Sequence, residues 1–286
     1  MGEKVIRLLA GLLAAIIVLV VAFPFFVMLS VSLQTKSELF STSANLIPRS
    51  WAFSNYAEAM RCGSWGRYFL NSFVVAGIVV CVSLVINAMA GYVFARLKFR
   101  FARPLFILIL AGMMIPPQVT MIPVFSMLRG VPFVNGNDWL GSGGSGLINT
   151  YAGMILPFVA GSFGVFLCRQ YYIGFPRELD DAAIVDGCSR FRAFVSIYLP
   201  LGRPVLASLA VLKFTGTWNE YTWPLIMVRS DDMKTVQIAL TLFRNESEIR
   251  WNLLMAATIL VSLAVYVIFA CAQKSFVSGI LTGSIK

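Results

Sequence analysis

The sequence predicts an all-α integral membrane protein with six transmembrane helices, and three observations support this fold class. Of the 286 residues, 58% are hydrophobic and 13% are charged, whereas about a quarter of the residues in a soluble domain are charged. The mean hydropathy is +0.80. Apolar segments long enough to cross a bilayer, which takes about 20 residues, lie at about 8–33, 69–95, 104–128, 147–168, 199–227 and 252–272.

The first apolar segment follows Lys4 and Arg7, as a secretory signal peptide would. Its apolar run is much longer than the roughly 7–15 residues of a signal sequence, however, and no cleavage site of small residues closes it. We therefore expect this segment to remain in the protein as the first membrane helix.

The third apolar segment contains Pro116, Pro117 and Pro123. Proline removes a backbone donor and disfavours the helical conformation in the residue before it, so the sequence predicts a broken or kinked helix here. Inside a membrane such a break is tolerated where it faces protein or a cavity, and ordinary packing is the alternative.

A glycine-rich stretch at 141–146 precedes the fourth apolar segment and matches the G-x-G-x-x-G pattern of dinucleotide sites. That pattern has meaning only after a strand and before the helix of a βαβ unit. Here a membrane segment follows it, so we expect a flexible extracytoplasmic turn.

The distribution of basic residues predicts the orientation of the helices. With the N-terminus in the cytoplasm, thirteen of the 23 Lys and Arg residues fall inside, nine fall outside, and Lys213 lies within a helix. Cytoplasmic loops carry the excess of positive charge. Both termini are therefore expected in the cytoplasm.

The composition also excludes several kinds of chemistry. The chain has no histidine, its five cysteines show no metal-site spacing, and no G-x-x-x-x-G-K-[ST] phosphate loop occurs. We therefore expect no catalytic residue, no metal site and no cofactor bound by this chain. The net charge of +10 is explained by membrane topology rather than by nucleic-acid binding.

The segment between the fourth and fifth helices, residues 176–200, has the features of an ordered cytoplasmic helix. Pro176 suits a first helical position, and acidic residues in the opening turn complement the positive end of the helix dipole. Apolar residues then recur at helical spacing, and Gly187 allows a bend between two short helices. This pattern indicates a surface on which another protein docks, although a solvated amphipathic turn is the alternative.

Within this segment, Asp181-Ala182-Ala183-Ile184-Val185-Asp186-Gly187 and, ten residues on, Ile197-Tyr198-Leu199-Pro200 resemble the E-A-A-x-x-D-G and I-x-L-P motifs of permease subunits of binding-protein-dependent ABC importers. Asp181 replaces the usual Glu, and Cys188 the usual Ala. Further motifs resemble the smaller permease of maltose-type sugar importers: Asn71-Ser72, Ala90-Gly91-Tyr92-Val93-Phe94-Ala95-Arg96, Phe163 to Gln170, Trp218 to Leu225 and Gln273 to Gly279.

The resemblance implies one permease domain over residues 1–286, in the cytoplasmic (inner) membrane of a bacterium or archaeon. It implies a second permease subunit, two ATPase subunits that bind ATP and Mg, an extracytoplasmic solute-binding protein, and a di- or oligosaccharide substrate that is neutral or acidic. The resemblance also identifies segment 176–200 as the loop with the short cytoplasmic coupling helix between helices four and five. The residues expected to couple to the ATPase are Glu178, Asp181, Ala182, Ala183, Asp186, Gly187, Phe191, Ile197 and Pro200.

Polar residues within the fifth apolar segment predict a contribution to the substrate path. Lys213, Thr217 and Glu220 are spaced to share one helix face, and ionisable groups at membrane depth are costly unless they pair or face water. A Lys213–Glu220 pair, or pairing with another subunit, is the alternative.

Three more residues are assigned to the same path: Trp218, Asn219 and Trp223. The tryptophan rings could stack on a sugar or anchor the helix at the membrane interface. With the loop that follows, residues 216–250 are expected to contribute to the sugar path and to the interface with the binding protein.

A second function class stays open at this point, that of an autonomous secondary transporter or channel. The apolar segments contain no Asp or His and only one acidic residue, Glu220, which disfavours a proton relay. A docking segment would also have no use in such a protein.

Overall fold

The computed structural model describes the backbone of residues 2–41, 46–244 and 248–284, and the side chains of residues 4–41, 46–244 and 248–270. Within these ranges the chain is helical, with a single antiparallel bridge between Arg244 and Ile249, which confirms the predicted all-α class. The α-helices are α1 (Gly2–Ser32), α2 (Lys36–Leu39), α3 (Ser54–Arg61), α4 (Trp65–Arg96), α5 (Ala102–Gly112), α6 (Pro117–Arg129), α7 (Tyr151–Ile155), α8 (Ser162–Ile173), α9 (Glu178–Val185), α10 (Arg190–Ala193), α11 (Leu199–Leu201), α12 (Arg203–Trp218), α13 (Thr222–Met227), α14 (Val236–Ala239) and α15 (Trp251–Ser284).

Three stretches of continuous helix are long and apolar enough to cross a bilayer: Lys4–Ser32, Trp65–Arg96 and Trp251–Ala270. Three further pairs of helices meet the same criterion only when each bent pair is taken together. The pairs are Ala102–Gly112 with Pro117–Arg129, Tyr151–Phe158 with Ser162–Ile173, and Arg190–Leu201 with Arg203–Trp218. Each of the six predicted segments overlaps one of these stretches or pairs.

The predicted break in the third segment is confirmed. Helices α5 and α6 meet at an angle of 102°, and Pro116 between them has an extended backbone conformation (φ −60°, ψ 133°). Pro117 then occupies the first turn of α6, where its missing N–H costs no hydrogen bond.

The fifth segment differs from its prediction, because α12 ends at Trp218 and a new helix, α13, begins at Thr222. The prediction that Glu220 shares a helix face with Lys213 and Thr217 is therefore wrong. Glu220 instead accepts a hydrogen bond from the backbone N–H of Trp223 (2.9 Å), so its carboxylate satisfies a free donor in the first turn of α13.

The loop between α6 and α7, which contains the turn expected to be flexible, has a network of side-chain hydrogen bonds that the sequence did not indicate. Asn137 donates to the carbonyls of Arg129 (2.7 Å) and Val131 (2.9 Å) and accepts from Gly144 N–H (2.8 Å). Asp138 accepts from two further backbone N–H groups of the loop. In this loop, polar side chains thus supply the hydrogen bonds that backbone groups would otherwise find in a helix or a sheet.

The chain divides into two compact units. The first comprises Met1–Trp65 and Ala239–Ala264. Its centre is Asn55, which donates to the carbonyls of Ser32 (2.8 Å) and Gln34 (2.9 Å) and accepts from Asn252 (3.1 Å). These bonds join α1, α3 and α15 at buried polar positions.

The second unit comprises Gly66–Ile238 and Val265–Lys286. Helix α4 contributes to both of its apolar clusters, one containing Val79, Met154 and Met227, the other Tyr92 and Tyr198. A Cβ atom added at Gly91 would lie 2.4 Å from the Cβ of Cys168. Glycine in the Ala90–Arg96 motif therefore lets α4 and α8 pack in direct backbone contact.

Candidate functional site

Helix α9 and the turn after it form the first part of the predicted coupling segment. The turn is a Schellman motif: the Cys188 N–H donates to the Ala183 carbonyl (2.8 Å) and the Gly187 N–H to the Ile184 carbonyl (3.0 Å). Gly187 has φ +68°, a conformation that glycine adopts without strain. The bend predicted at Gly187 is confirmed.

Helix α10 begins immediately after this turn. The Ser189 hydroxyl caps it by accepting from the Arg192 N–H (3.2 Å), and α10 continues through a π-helical turn, Phe194–Tyr198. Three large apolar side chains of α9 and α10 remain exposed: Ile184 (66%), Val185 (86%) and Phe191 (67%). We call these three residues the apolar docking surface.

The structure places the nine predicted coupling residues in different environments. Ala183 is buried, and Ile197 is half-buried. The exposed members are Glu178, Asp181, Ala182, Asp186, Gly187, Phe191 and Pro200. Most of the set is thus accessible to a partner, and their predicted role in coupling stays a prediction.

A cluster that was not predicted attaches this segment to the end of α4. Tyr198 is fully buried; its hydroxyl donates to Asp180 Oδ1 (2.6 Å) and accepts from Arg96 Nε (2.6 Å). Arg96 Nε also lies 3.3 Å from Asp180 Oδ2, and an Arg96 guanidinium N–H donates to the Pro176 carbonyl (2.6 Å). The Arg96–Tyr198–Asp180 cluster therefore fixes α9 relative to α4.

The predicted substrate-path residues lie on both sides of the break between α12 and α13. Lys213 is half-buried and donates to the Phe158 carbonyl (2.8 Å), at the end of the short helical stretch that follows α7. Lys213 and Glu220 form no ion pair with each other in the part of the chain that the structure describes. Thr217 is half-buried and Asn219 is exposed.

Both predicted tryptophans are buried. Trp218 is 1% exposed and packs against Phe73 and Phe214, with ring centroids 4.8 and 5.5 Å apart. Trp223 is 4% exposed and donates to the Gly153 carbonyl (3.0 Å). Neither ring presents an open face for sugar stacking in this conformation.

The Asn71-Ser72 motif holds the segment that follows α13. Asn71 is fully buried and donates to the carbonyls of Asp232 (2.7 Å) and Lys234 (2.8 Å). Its side-chain carbonyl accepts from the Tyr151 hydroxyl (2.6 Å). The Ser72 hydroxyl accepts from the Val236 N–H (2.9 Å).

Asp231 adds a side-chain contact to the same attachment. Its carboxylate accepts from Lys234 Nζ (2.8 Å) and from the Tyr68 hydroxyl (2.7 Å). The bond from Lys234, followed by the one from Tyr68, lowers the pKa of Asp231 below its ordinary value.

Some predicted features lie outside the described residues. The side chains of the C-terminal motif at 273–279 are not described, and residues 245–247 of the loop before α15 are not described at all. Within the described ranges, no group of three or more Cys, Asp or Glu side chains is arranged to hold a metal ion.

Sequence comparison relates the chain to membrane subunits of transport systems. Residues 87–281 match the family model described as binding-protein-dependent transport system inner membrane component. The arabinooligosaccharides transport system permease protein AraQ of Bacillus subtilis (strain 168) is 33% identical over 99% of this chain and 97% of its own length. The sn-glycerol-3-phosphate transport system permease protein UgpE of Agrobacterium fabrum is 29% identical over 98% of each chain.

Structural comparison supports the same fold. The chain superposes on a subunit of a bacterial ABC transporter involved in the import of the acidic polysaccharide alginate, with a TM-score of 0.80 and 20% identity. The superposition covers 96% of this chain and 98% of the other. Because the sequence match to the family model spans well over half of the chain, the chain belongs to the family of binding-protein-dependent transport system inner membrane components.

Proposed function

We propose that this protein is one of two permease subunits of an ATP-driven, binding-protein-dependent importer and forms half of the path for a di- or oligosaccharide. Family membership disfavours the autonomous transporter or channel, because the members of this family belong to transport systems that depend on a binding protein. Several relatives are named as permeases for arabinooligosaccharides, lactose or melibiose. These names support a carbohydrate substrate. In this proposal residues 1–286 form one permease domain in the cytoplasmic membrane of a bacterium or archaeon.

The proposed topology has six membrane crossings with both termini in the cytoplasm. Three continuous helical stretches and three bent pairs supply six crossings if each bent pair counts as one, and the excess of Lys and Arg favours this orientation. Single cysteines at Trp139 and Phe191, on a background without native cysteines, test it with a membrane-impermeant thiol reagent. Labelling of intact cells at 139 and not at 191 is expected, and the reverse pattern would contradict the orientation.

Coupling to the ATPase is proposed at α9 and α10, and one observation carries it. The apolar docking surface is exposed on a segment that the Arg96–Tyr198–Asp180 cluster attaches to α4. An exposed apolar patch on a fixed backbone is suited to burial by a partner protein. ATP and Mg are bound by the partner subunits, and this chain transmits their movement to its membrane helices.

The proposed substrate path includes the polar groups at the break between α12 and α13. Lys213, Thr217 and Glu220 are half-buried, and Asn219 is exposed. Backbone outside regular helix at membrane depth is tolerated where it lines protein or water, so this break is a reasonable place for a cavity. The buried Trp218 and Trp223 would support the break by packing.

Copurification of the ATPase tests the coupling proposal. The change Phe191→Asp places a charge in the apolar docking surface and is expected to reduce the ATPase retained by the permease pair by about tenfold. Phe101→Asp is the matched control, because Phe101 is 59% exposed and lies outside the segment. Equal retention by both variants would contradict docking at α10.

The substrate class is tested through the solute-binding protein that copurifies with the complex. Its affinities for neutral and acidic oligosaccharides are measured by calorimetry. Binding of one saccharide class supports the proposal, and binding of amino acids or peptides alone would contradict it.

A further inference from the structure

A cavity of about 700 Å³ lies under α9, where α4 and α8 end. Five basic side chains and two acidic ones line it. The basic residues are Arg96, Lys98, Arg169, Arg177 and Arg190, and the acidic residues are Asp180 and Asp181. The cavity is therefore markedly electropositive.

Most of this positive charge is not neutralised by the protein. Arg96 pairs with Asp180, but the other four basic side chains have no carboxylate within 4.0 Å among the residues that the structure describes. Lys98, Arg177 and Arg190 are exposed, so their charged groups can approach a ligand. Arg and Lys bind phosphate groups through charge-assisted hydrogen bonds.

A second cavity of about 550 Å³ shares Arg169 with the first. Besides Arg169, it is lined by Arg103 and by four apolar residues of α4 and α5: Phe94, Ala102, Phe106 and Ile107. The Arg169 guanidinium stacks 4.0 Å from the centre of the Phe106 ring, and its Nε donates to the Phe94 carbonyl (3.2 Å). Arg169 is thus held at the boundary between a basic and an apolar compartment.

We propose that these two cavities together bind one phospholipid with an anionic headgroup. The phosphate would lie among Lys98, Arg169 and Arg177, and an acyl chain would lie against Phe106 and Ile107. The apolar compartment is formed by helices apolar enough to be in the bilayer, which favours a lipid over a soluble phosphate. Basic pockets beside membrane helices are suited to such headgroups.

The site would also affect coupling, since its walls include α9 and Arg96. A bound headgroup would neutralise charge beside the apolar docking surface, because Ile184 of that surface also lines the cavity. The lipid proposal does not depend on the identity of the transported sugar.

Native mass spectrometry of the assembled transporter, released from nanodiscs of equal phosphatidylglycerol and phosphatidylcholine, tests the proposal. The double variant Lys98→Gln/Arg177→Gln is expected to lower retained phosphatidylglycerol on the order of tenfold. Arg203→Gln, an exposed change that does not line either cavity, is expected to leave it unchanged. Equal retention of the two lipids by the unmodified protein would overturn the proposal.

The variant Ile107→Trp tests the apolar compartment, because the larger side chain fills it. Leu108→Trp is the control, since Leu108 is 69% exposed and does not line this cavity. Selective loss of lipid in the first variant supports the proposal. If excess inorganic phosphate displaces the lipid while Ile107→Trp has no effect, the pocket binds phosphate alone and the proposal fails. It also fails if the separated permease pair retains the lipid and the ATPase-bound complex does not, because the ATPase then occupies the pocket.

Discussion

Two segments are attached to opposite ends of α4, and they differ in whether the attached segment is buried or keeps an apolar surface exposed. Helix α4 has 32 residues, which corresponds to roughly 48 Å. Near its N-terminus, Asn71 and Ser72 hold residues 232–236. At its C-terminus, Arg96 holds residues 176–198.

The two attachments use different chemistry. Asn71 and Ser72 bond to backbone groups, and the end of the segment they hold, Thr235 and Val236, is buried. Arg96 bonds mainly to the side chains of Tyr198 and Asp180, and the segment it holds keeps an apolar surface exposed. The first attachment completes an internal joint. The second positions a surface that stays exposed among the described residues of its own unit.

The largest effect is expected from Arg96→Met, which removes the cation of the Arg96–Tyr198–Asp180 cluster. The Arg96 side chain is 5% exposed and that of Asp180 30%, so Asp180 loses a partly buried partner, at a cost of about 2 kcal/mol. Thermal unfolding of the purified protein measures this, and ATPase retention should fall too. An equal decrease in thermal stability for Arg100→Met, a change at an exposed neighbouring residue, would show that Arg96 has no special role.

The Asn71→Ala change is expected to lower the free energy of unfolding by somewhat less, about 1.5 kcal/mol. It removes the hydrogen bonds that this fully buried side chain donates to the carbonyls of Asp232 and Lys234 and accepts from the Tyr151 hydroxyl. Uptake should fall while ATPase retention is unchanged, which distinguishes this end of α4 from the other. Leu70→Ala, at a half-exposed position on the same helix, is the control. A loss of ATPase retention in Asn71→Ala would contradict the separation of the two attachments.

The Tyr198→Phe change tests the hydroxyl alone. The ion pair between Arg96 and Asp180 (3.3 Å) does not involve Tyr198 and is expected to remain. Only the two hydrogen bonds of the hydroxyl are lost, which should lower the free energy of unfolding by about 1 kcal/mol. The midpoint of thermal unfolding should decrease slightly. No change relative to Tyr171→Phe, whose hydroxyl makes only a long bond of 3.4 Å to Leu201, would show that the bridge contributes nothing.

The smallest effect concerns pH. The pKa of Asp231 in the folded protein lies below its ordinary value of 3.8, so its stabilisation is present above pH 3.8 and is lost as the pH falls through the lower, folded-state pKa. The side chain is 54% exposed, which limits the effect to a few tenths of a kcal/mol. Acid titration of thermal stability should show a smaller decrease in Asp231→Asn than in the unmodified protein, and identical titrations would contradict the assignment.

Features encoded by neighbouring residues could be predicted from the sequence. The apolar segments predicted helices, Pro116 and Pro117 predicted the break between α5 and α6, and Gly187 predicted the bend after α9. Each depends on backbone preferences that act within a few residues. The break after Trp218 was missed, because the apolar pattern continues through it while Asn219 and Glu220 end the helix.

Contacts between distant residues could not be predicted in this way. Tyr68 and Asp231 are 163 residues apart, and Arg96 and Tyr198 are 102 apart. The Asn71-Ser72 and Ala90–Arg96 motifs were recognised by resemblance, but the sequence did not indicate which groups they bind. The turn at 141–146 was expected to be flexible from its glycines alone, and the sequence did not indicate the hydrogen bonds that Asn137 and Asp138 make in this loop.

The proposed coupling through α9 and α10 requires the turn that joins them at Gly187 to keep its backbone conformation, and a pair of substitutions tests this requirement. A Cβ atom at Gly187 would meet nothing within 4 Å in this chain, so the strain that a side chain causes within the chain comes from the φ of +68°. Asn tolerates this conformation, whereas Val is strained by about 1–2 kcal/mol.

In reconstituted vesicles with the binding protein, uptake and ATP hydrolysis are measured together for Gly187→Val and Gly187→Asn. We expect Gly187→Val to insert normally but to lose most of its uptake per ATP hydrolysed, while Gly187→Asn retains it. Unchanged uptake per ATP in Gly187→Val would contradict coupling through this turn.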